Sequence, residues 1–124
     1  MIGNIKFERK MLERKMLERT YYDTVNIYRN VKIKKDGETK HSRELIYENQ
    51  KCAISKNSLP ANNQSDSVNH INYTVTLFIA PEVKIKQGDL LEIIHMGGEN
   101  KYIAGEPFVY VTHQEIILER EDRA

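Results

Sequence analysis

Four histidines are the side chains of this sequence best suited to act as metal ligands or general bases. They lie in separate segments, as His41, His70, His95 and His113. No two are spaced as HxH or HxxxH, and no second cysteine is present to complete a zinc site. His113 lies within an apolar run, where a lone histidine is more typical of an interstrand hydrogen bond than of a catalytic base. The sequence therefore predicts no metal site and no histidine-based catalysis.

The single cysteine and the carboxylates do not assemble a reactive centre either. Cys52 lies in Gln-Lys-Cys-Ala-Ile, a pattern typical of a small buried strand residue, and a lone thiol without a disulfide indicates a reducing compartment. Glu119, Glu121 and Asp122 belong to a charged tail. The motifs GxSxG, Walker A and HExxH do not occur, and Gly97-Gly98 is only long enough for a hairpin turn. We therefore expect a protein that is not an enzyme and binds no cofactor.

Seven tyrosines offer a different chemistry, which is stacking on nucleic-acid bases. A small barrel with such a platform is typical of OB-like modules that bind single strands. A nucleic-acid face also needs basic residues, yet residues 52–124 hold 6 Lys and Arg against 10 Asp and Glu. We expect the tyrosines to be core and interface residues, and an OB-like single-stranded nucleic-acid-binding module is the alternative from another functional class.

Charge is unevenly distributed along the 124 residues, a length that suits one domain with a single modest core. The net charge is +1, so the chain as a whole has no electrostatic attraction to nucleic acid or an anionic membrane. Residues 1–51, however, hold 13 basic and 8 acidic side chains, a net +5, whereas residues 52–124 are at −4. Opposite-signed halves suit copies that meet head to tail in a ring, and a chance distribution is the alternative.

Membrane targeting is not apparent in the sequence. No apolar run approaches the roughly 20 residues that cross a bilayer, and the first residues lack the apolar core of a signal peptide. We expect a soluble protein that is made in a cytoplasm and has no membrane partner.

Period-2 alternation organises the chain from Val68 to Glu119. Apolar residues occupy the odd positions from Ile71 to Ile79, and Pro81 ends this run. A second apolar run covers 90–94 and a third covers 108–118. Three strands separated by Gly and Pro turns predict half of a small antiparallel β-barrel or sandwich, so the fold class is mainly β.

The segment before it, residues 20–56, predicts a β-meander. Apolar residues alternate over 25–33, with a break near Arg29-Asn30, and Asp36-Gly37 favours a two-residue hairpin turn. The remaining predicted elements are a strand over 41–47, a turn at Glu48-Asn49 and a short strand over 51–56.

Residues 1–19 are predicted to form a separate unit, an N-terminal charged helical arm. The pentad Glu-Arg-Lys-Met-Leu occurs at 8–12 and again at 13–17, and these strong helix formers predict a helix from Asn4 to Arg19. Because a five-residue period does not match the helical repeat, the helix has no single apolar face and packs weakly on its own domain. We expect a frayed extension or an arm held between neighbouring subunits. The apolar side chains available for subunit contact are Phe7, Met11, Leu12, Met16 and Leu17.

A long polar loop, residues 57–69, interrupts the β domain that covers 20–124. Loops of this length inside a compact domain are usually functional or disordered, and both alternatives stay open here. The polar side chains that a functional loop would offer are Asn57, Ser58, Asn62, Asn63, Gln64, Ser65, Asp66 and Ser67.

Several short motifs occur in order between residues 20 and 124. They include Tyr-Tyr-Asp-Thr at 21–24, Ser-Leu-Pro at 58–60, Leu-Phe-Ile-Ala-Pro-Glu at 77–82 and Gly-Glu-Pro-Phe-Val-Tyr at 105–110. In these motifs the sequence resembles small proteins of tailed phages and prophages of Gram-positive bacteria, in the minor capsid or neck and head-closure group. The pentad repeat departs from the resemblance, because that family usually begins near the tyrosines.

The resemblance implies a β-barrel subunit in a ring beneath the portal and adaptor, which closes the DNA-filled head and docks the tail. The implied partners are copies of the chain in a six- or twelve-fold ring, portal or adaptor proteins, and tail-terminator or tail proteins. Genomic double-stranded DNA would pass through the lumen without sequence readout. The implied location is the neck of the virion, after assembly in the bacterial host cytoplasm. On this interpretation loop 57–69 forms a gate or an inter-ring clasp, and a tail-terminator or tail-completion ring protein is the alternative.

Overall fold

The computed structural model describes residues 2–58 and 73–121, which form one helix and seven strands. The mainly β, antiparallel architecture with an N-terminal helix confirms the fold class predicted from the alternation. The elements are α1 (Ile2–Glu18), β1 (Asp23–Lys35), β2 (Glu38–Ser58), β3 (Tyr73–Ile79), β4 (Leu90–His95), β5 (Gly98–Ala104), β6 (Phe108–Val109) and β7 (Gln114–Arg120).

The strands pair around a closed circuit. Their order in the sheet is β3-β2-β1-β4-β5-β7-β6, and β3 also pairs with β7, so the sheet returns to its first strand. Every pairing is antiparallel. Because closure pairs both edges of a strand, the closed part of the sheet offers few backbone groups to a further strand.

The core lies inside this circuit and is built from the alternating positions of the strands. Leu77 and Ile79 of β3 are fully buried, as the odd-numbered alternation predicts, and Cys52 of β2 is buried beside them as expected. Other fully or almost fully buried side chains are Val25, Ile27, Leu91, Ile93 and Ile116. This packing makes a rigid unit from which the remaining elements project.

The hairpin of β1 and β2 extends beyond the closed sheet. β4 pairs with β1 only as far as Tyr28, and β3 pairs with β2 only from Cys52 onward. Residues 29–45, called the ribbon from here on, therefore pair only within the hairpin. Its turn is the predicted one, since Asp36 and Gly37 have φ values of 56° and 80° between Lys35 and Glu38.

Two predictions about this hairpin are wrong. β1 is not broken at Arg29-Asn30, and the strands predicted over 41–47 and 51–56 are one strand, β2. The predicted turn at Glu48-Asn49 is a bulge inside β2, where Asn49 has a φ of 51° and its N–H donates to Asn26 Oδ1 at 2.8 Å. A side chain of the neighbouring strand thus stabilises a conformation that would otherwise end the strand.

The third apolar run is also different from the prediction. Instead of one strand over 108–118, the structure has the short β6, a turn at 110–113 and β7, and the prediction missed β5 altogether. β5 and β6 follow the same side of β7, with a bend at Gly105 between them. The Gly105 N–H donates to the Ile117 carbonyl at 2.9 Å, and a Cβ at position 105 would lie 2.8 Å from that oxygen. The bend therefore requires glycine.

The predicted loop and arm are placed only in part. Asn57 and Ser58 belong to β2 and pair with Thr74 and Tyr73, so the predicted loop does not begin at residue 57. The other candidate loop residues lie outside the described residues, and their predicted role stays a prediction: Asn62, Asn63, Gln64, Ser65, Asp66 and Ser67. The helix begins at Ile2 and ends at Glu18, close to the predicted bounds.

Candidate functional site

Polar groups in the interior hold the chain in place. Gln114 is 2% exposed and donates from Nε2 to the carbonyls of Ala80 and Val83 at 2.8 and 2.6 Å. The Asp89 carboxylate, also 2% exposed, accepts two hydrogen bonds from Arg29 and one from the Lys86 N–H. These hydrogen bonds fix the connection between β3 and β4 against the sheet, so Gln114 and Asp89 have a structural role.

The three histidines within the described residues do not come together. His41 lies on the ribbon, His70 lies outside the described residues, and His95 at the end of β4 is 2.7 Å from Asp23 through Nδ1. The prediction that His113 lies at a strand centre is wrong. It lies in the turn before β7, where its two ring nitrogens contact Thr112 and Glu115. Over residues 2–58 and 73–121, no three His, Cys, Asp or Glu side chains form a group that could hold a metal ion.

The Cys52 thiol is inert in the folded chain. It is fully buried, and burial raises its pKa to about 12. Since the thiolate is the reactive form, a thiol with this pKa is almost entirely protonated at neutral pH. Cys52 is therefore a core residue, as its sequence context predicted.

The most distinctive surface lies on the hairpin that joins β6 to β7, residues 105–118, called the aromatic hairpin from here on. Its turn is closed by the Tyr110 N–H, which donates to the His113 carbonyl at 2.7 Å. The rings of Tyr110 and His113 stack with centroids 4.9 Å apart, and Phe108 lies 4.9 Å from Tyr110 on the other side. Phe78 of β3 extends the row, 6.0 Å from His113. The result is a continuous aromatic row across the outside of the sheet.

Several side chains of the aromatic hairpin are exposed despite being apolar. Phe108 is 63% exposed and Val111, at the tip, is 72% exposed. The other exposed members are Val109, Tyr110 and Ile117. Clustered exposure of large apolar side chains marks a contact surface rather than a finished exterior.

The charges beside this row are acidic. Residues 105–118 contain Glu106 and Glu115 and no Lys or Arg. The Glu115 carboxylate lies within hydrogen-bond distance of His113, with 2.9 Å between Oε2 and Nε2. A nucleic-acid face would need the opposite charge, so this aromatic surface suits a protein partner better than a phosphate backbone.

The arm is the second exposed apolar surface. Phe7 is 65% exposed and Leu12 is 59% exposed, whereas Leu17 is partly buried. Phe7, Met11 and Leu12 line a shallow groove of about 340 Å³ together with Glu8 and Lys15. The contacts that join the arm to the sheet come from Arg14, which forms a bidentate ion pair with Glu82 and is also bonded to Glu18 at 2.8 Å.

The base of the arm is packed more closely. The Thr20 hydroxyl donates to the Leu17 carbonyl at 2.6 Å and ends the helix, and Tyr21 enters the sheet's surface at 6% exposure. Among the described residues, no group is hydrogen-bonded to the buried Tyr21 hydroxyl. Burial raises the pKa of Tyr21 to about 12.

Sequence reasoning found the arm but missed the aromatic hairpin. Phe108 to Val111 are four consecutive apolar residues, and the sequence predicted them to lie in one strand over 108–118. The signal that could have located the turn is Val111-Thr112-His113, where the apolar run stops before Gln114. The exposure of the row depends on pairing between β6 and β7, which no local pattern records.

The sequence matches no protein-family model and no curated protein. The fold is similar to a solved structure, the phage-like element PBSX protein xkdH from Bacillus subtilis. The superposition has a TM-score of 0.53 with 15% sequence identity, and it covers 81% of this chain and 95% of that chain. The likeness at this identity is one of fold, and it spans nearly the whole of the other protein.

No helix within the described ranges is long and apolar enough to cross a membrane.

Proposed function

We propose that the protein is a structural component of a tailed phage or phage-like particle, and that it forms a ring in the neck that closes the filled head and docks the tail. The observation that carries the proposal is the fold similarity to a protein of a phage-like element over 95% of that protein. The ordered motifs of residues 20–124, which resemble small proteins of tailed phages and prophages, support it as well.

The exposed surfaces support assembly with other copies. A closed sheet pairs its own strand edges, so contacts with neighbours must come from its outer face or from elements that project beyond it. Among the described residues, the arm and the ribbon project beyond the closed sheet, and the aromatic hairpin presents side chains on its outer face. All three expose large apolar side chains, Ile33 and Leu45 in the case of the ribbon, and a protein that functions as a monomer rarely leaves such side chains in contact with water.

The charge distribution supports a head-to-tail arrangement. The ribbon holds 6 basic and 3 acidic residues, whereas the aromatic hairpin holds only glutamates as charged residues. Faces that differ in sign are complementary when copies follow one another around a ring, but not when identical faces meet across a two-fold axis. Such a ring would let double-stranded DNA pass without sequence readout.

Two measurements test the proposal. Removing the coding gene from its phage or prophage should give filled heads that lose DNA and fail to join tails. Imaging of intact particles with a labelled subunit should place the label between head and tail. Normal particles after the deletion would refute the proposal, and DNA-tight heads beside defective tails would favour the tail-terminator role.

Binding measurements separate the OB-like alternative. A neck subunit should assemble and bind DNA weakly at about 150 mM salt, because few phosphate contacts are made. A monomer that binds single strands, with affinity falling steeply as salt rises, would support the alternative and refute the structural role.

A further inference from the structure

Two apolar surfaces, one on α1 and one on the aromatic hairpin, are left uncovered by the rest of the described residues. On α1 the exposed pair is Leu12 and Met16, at 59% and 58% exposure. On the aromatic hairpin the most exposed members are Phe108, Val111 and Ile117. Each surface is too apolar to be a typical solvent-facing exterior.

The pair on α1 faces away from its own sheet. Arg14 marks the side of the helix that contacts the sheet, because it binds Glu82 on the turn after β3. At about 100° per residue, Leu12 and Met16 each lie about 160° around the helix from Arg14. They are also one turn apart, so they form a single apolar spot. The sheet that holds Arg14 therefore cannot cover this spot.

The charges around the two surfaces are complementary. The exposed charged residues within one turn of Leu12 or Met16 sum to a net +1, and they are Arg9, Lys15, Glu8, Glu13 and Arg19, of which Arg19 directly follows the helix. The aromatic hairpin carries Glu106 and Glu115 beside its apolar row. An apolar spot with net positive surroundings fits an apolar row beside two glutamates.

We propose that the Leu12–Met16 side of α1 docks on the aromatic hairpin of a second copy of this chain. The two surfaces differ, so the contact is heterologous, and repeating it leads from one copy to the next around a ring. The inference rests on the proposed ring-forming function and names the contact that builds the ring.

Cross-linking between two separately tagged variants tests the contact. One chain carries Leu12→Cys and the other carries Val111→Cys, and a short bismaleimide joins cysteines that lie close together. The native Cys52 does not interfere, since it is buried and its pKa is about 12. The matched control replaces Val111→Cys by Met96→Cys, because Met96 is 90% exposed on the turn between β4 and β5.

The expected result is a mixed dimer from Leu12→Cys and Val111→Cys, at about ten times the yield with Met96→Cys, as a contact worth about 1.4 kcal/mol would give. Adding Glu106→Lys to the Val111→Cys chain should lower the yield several-fold. Two results would overturn the contact: a yield equal to that of the Met96→Cys control, or an excess of Val111→Cys homodimer over mixed dimer.

The oligomeric state of the wild-type chain, measured by native mass spectrometry, separates the two proposals. Wild-type rings without the mixed dimer would overturn this contact and leave the neck function standing. A wild-type monomer without the mixed dimer would count against both. A mixed dimer supports the contact in either case.

Discussion

Replacing Arg29 by Met should destabilise the protein strongly, because it leaves a buried carboxylate unpaired. Asp89 is 2% exposed and accepts hydrogen bonds from Arg29 Nε at 2.9 Å and from Arg29 Nη2 at 2.8 Å. In Arg29→Met its carboxylate keeps only the bond from the Lys86 N–H, at 2.9 Å.

Breaking one side of a buried ion pair costs about 3–5 kcal/mol. The Arg29 side chain is 24% exposed, so water already screens part of the pair, and we expect a loss of about 3 kcal/mol. For a domain of this size that corresponds to a fall in Tm of roughly 10 °C. Urea denaturation at pH 7, followed by circular dichroism, measures the loss directly.

Arg43→Met is the matched control, since it makes the same chemical change on the ribbon. Arg43 lies 3.7 Å from Glu121, with side chains 48% and 33% exposed, and such a pair contributes about 0–1 kcal/mol. The reasoning is refuted if Arg29→Met loses no more stability than Arg43→Met. Asp89→Asn should cost less than Arg29→Met, because the guanidinium left behind can reach water.

Three further predictions concern other parts of the chain. Tyr21→Phe removes a buried hydroxyl that has no hydrogen bond among the described residues, so it should raise the free energy of unfolding by about 1 kcal/mol; a loss in the same urea titration would contradict this. Gly105→Ala should cost about 1–3 kcal/mol because its Cβ meets a backbone oxygen, whereas Gly98→Ala, with its nearest contact at 3.6 Å, should lie within about 0.5 kcal/mol of wild type. The hydrogen bond from Arg14 lowers the pKa of Glu82, so the ion pair between arm and domain should hold at neutral pH and weaken as pH falls through that lowered pKa, below the ordinary range of a glutamate. Hydrogen exchange across α1 should then rise at low pH, Glu82→Gln should reproduce the rise at pH 7, and unchanged exchange in both would contradict it.

Local chemistry was enough to predict much of the fold. The Asp36-Gly37 turn depends on two residues that accept positive φ, and the β3 alternation ending before Pro81 depends only on neighbours in sequence. The burial of Cys52 followed from its apolar neighbours. These features need no knowledge of distant partners and were predicted correctly, except that Tyr73 at the start of β3, expected on the buried face, is 49% exposed.

The errors concern pairings that the residue pattern of a single strand does not report. The continuity of β2 depends on Asn26, a residue of β1, which holds the bulge at Asn49. The aromatic hairpin depends on the turn bond between Tyr110 and His113 and on pairing of β6 with β7. A polar pair such as Glu48-Asn49 reads as a turn in the sequence, and only the neighbouring strand makes it a bulge.

The candidate site was predicted less completely than the fold for a physical reason. Sequence patterns report which side chains an element buries, because burial imposes a period, but an interaction surface needs no period. The arm could be recognised in the sequence because its five-residue repeat does not match the helical repeat. The aromatic hairpin showed no such conflict, since an exposed apolar row and a buried strand have the same composition.

The closed sheet explains why the contacts of this protein should lie on appended elements. Closure pairs the strand edges and buries the inward side chains, so the body of the domain keeps few groups for a partner. The ribbon escapes closure because β1 and β2 are longer than the strands that flank them, and the arm is a helix outside the sheet that the ion pair of Arg14 with Glu82 joins to the turn after β3. A rigid domain with projecting contact surfaces can keep its shape while each surface binds a different neighbouring subunit. A subunit needs this separation between a rigid domain and its contact surfaces if it must form a ring with its copies and also contact the rings above and below.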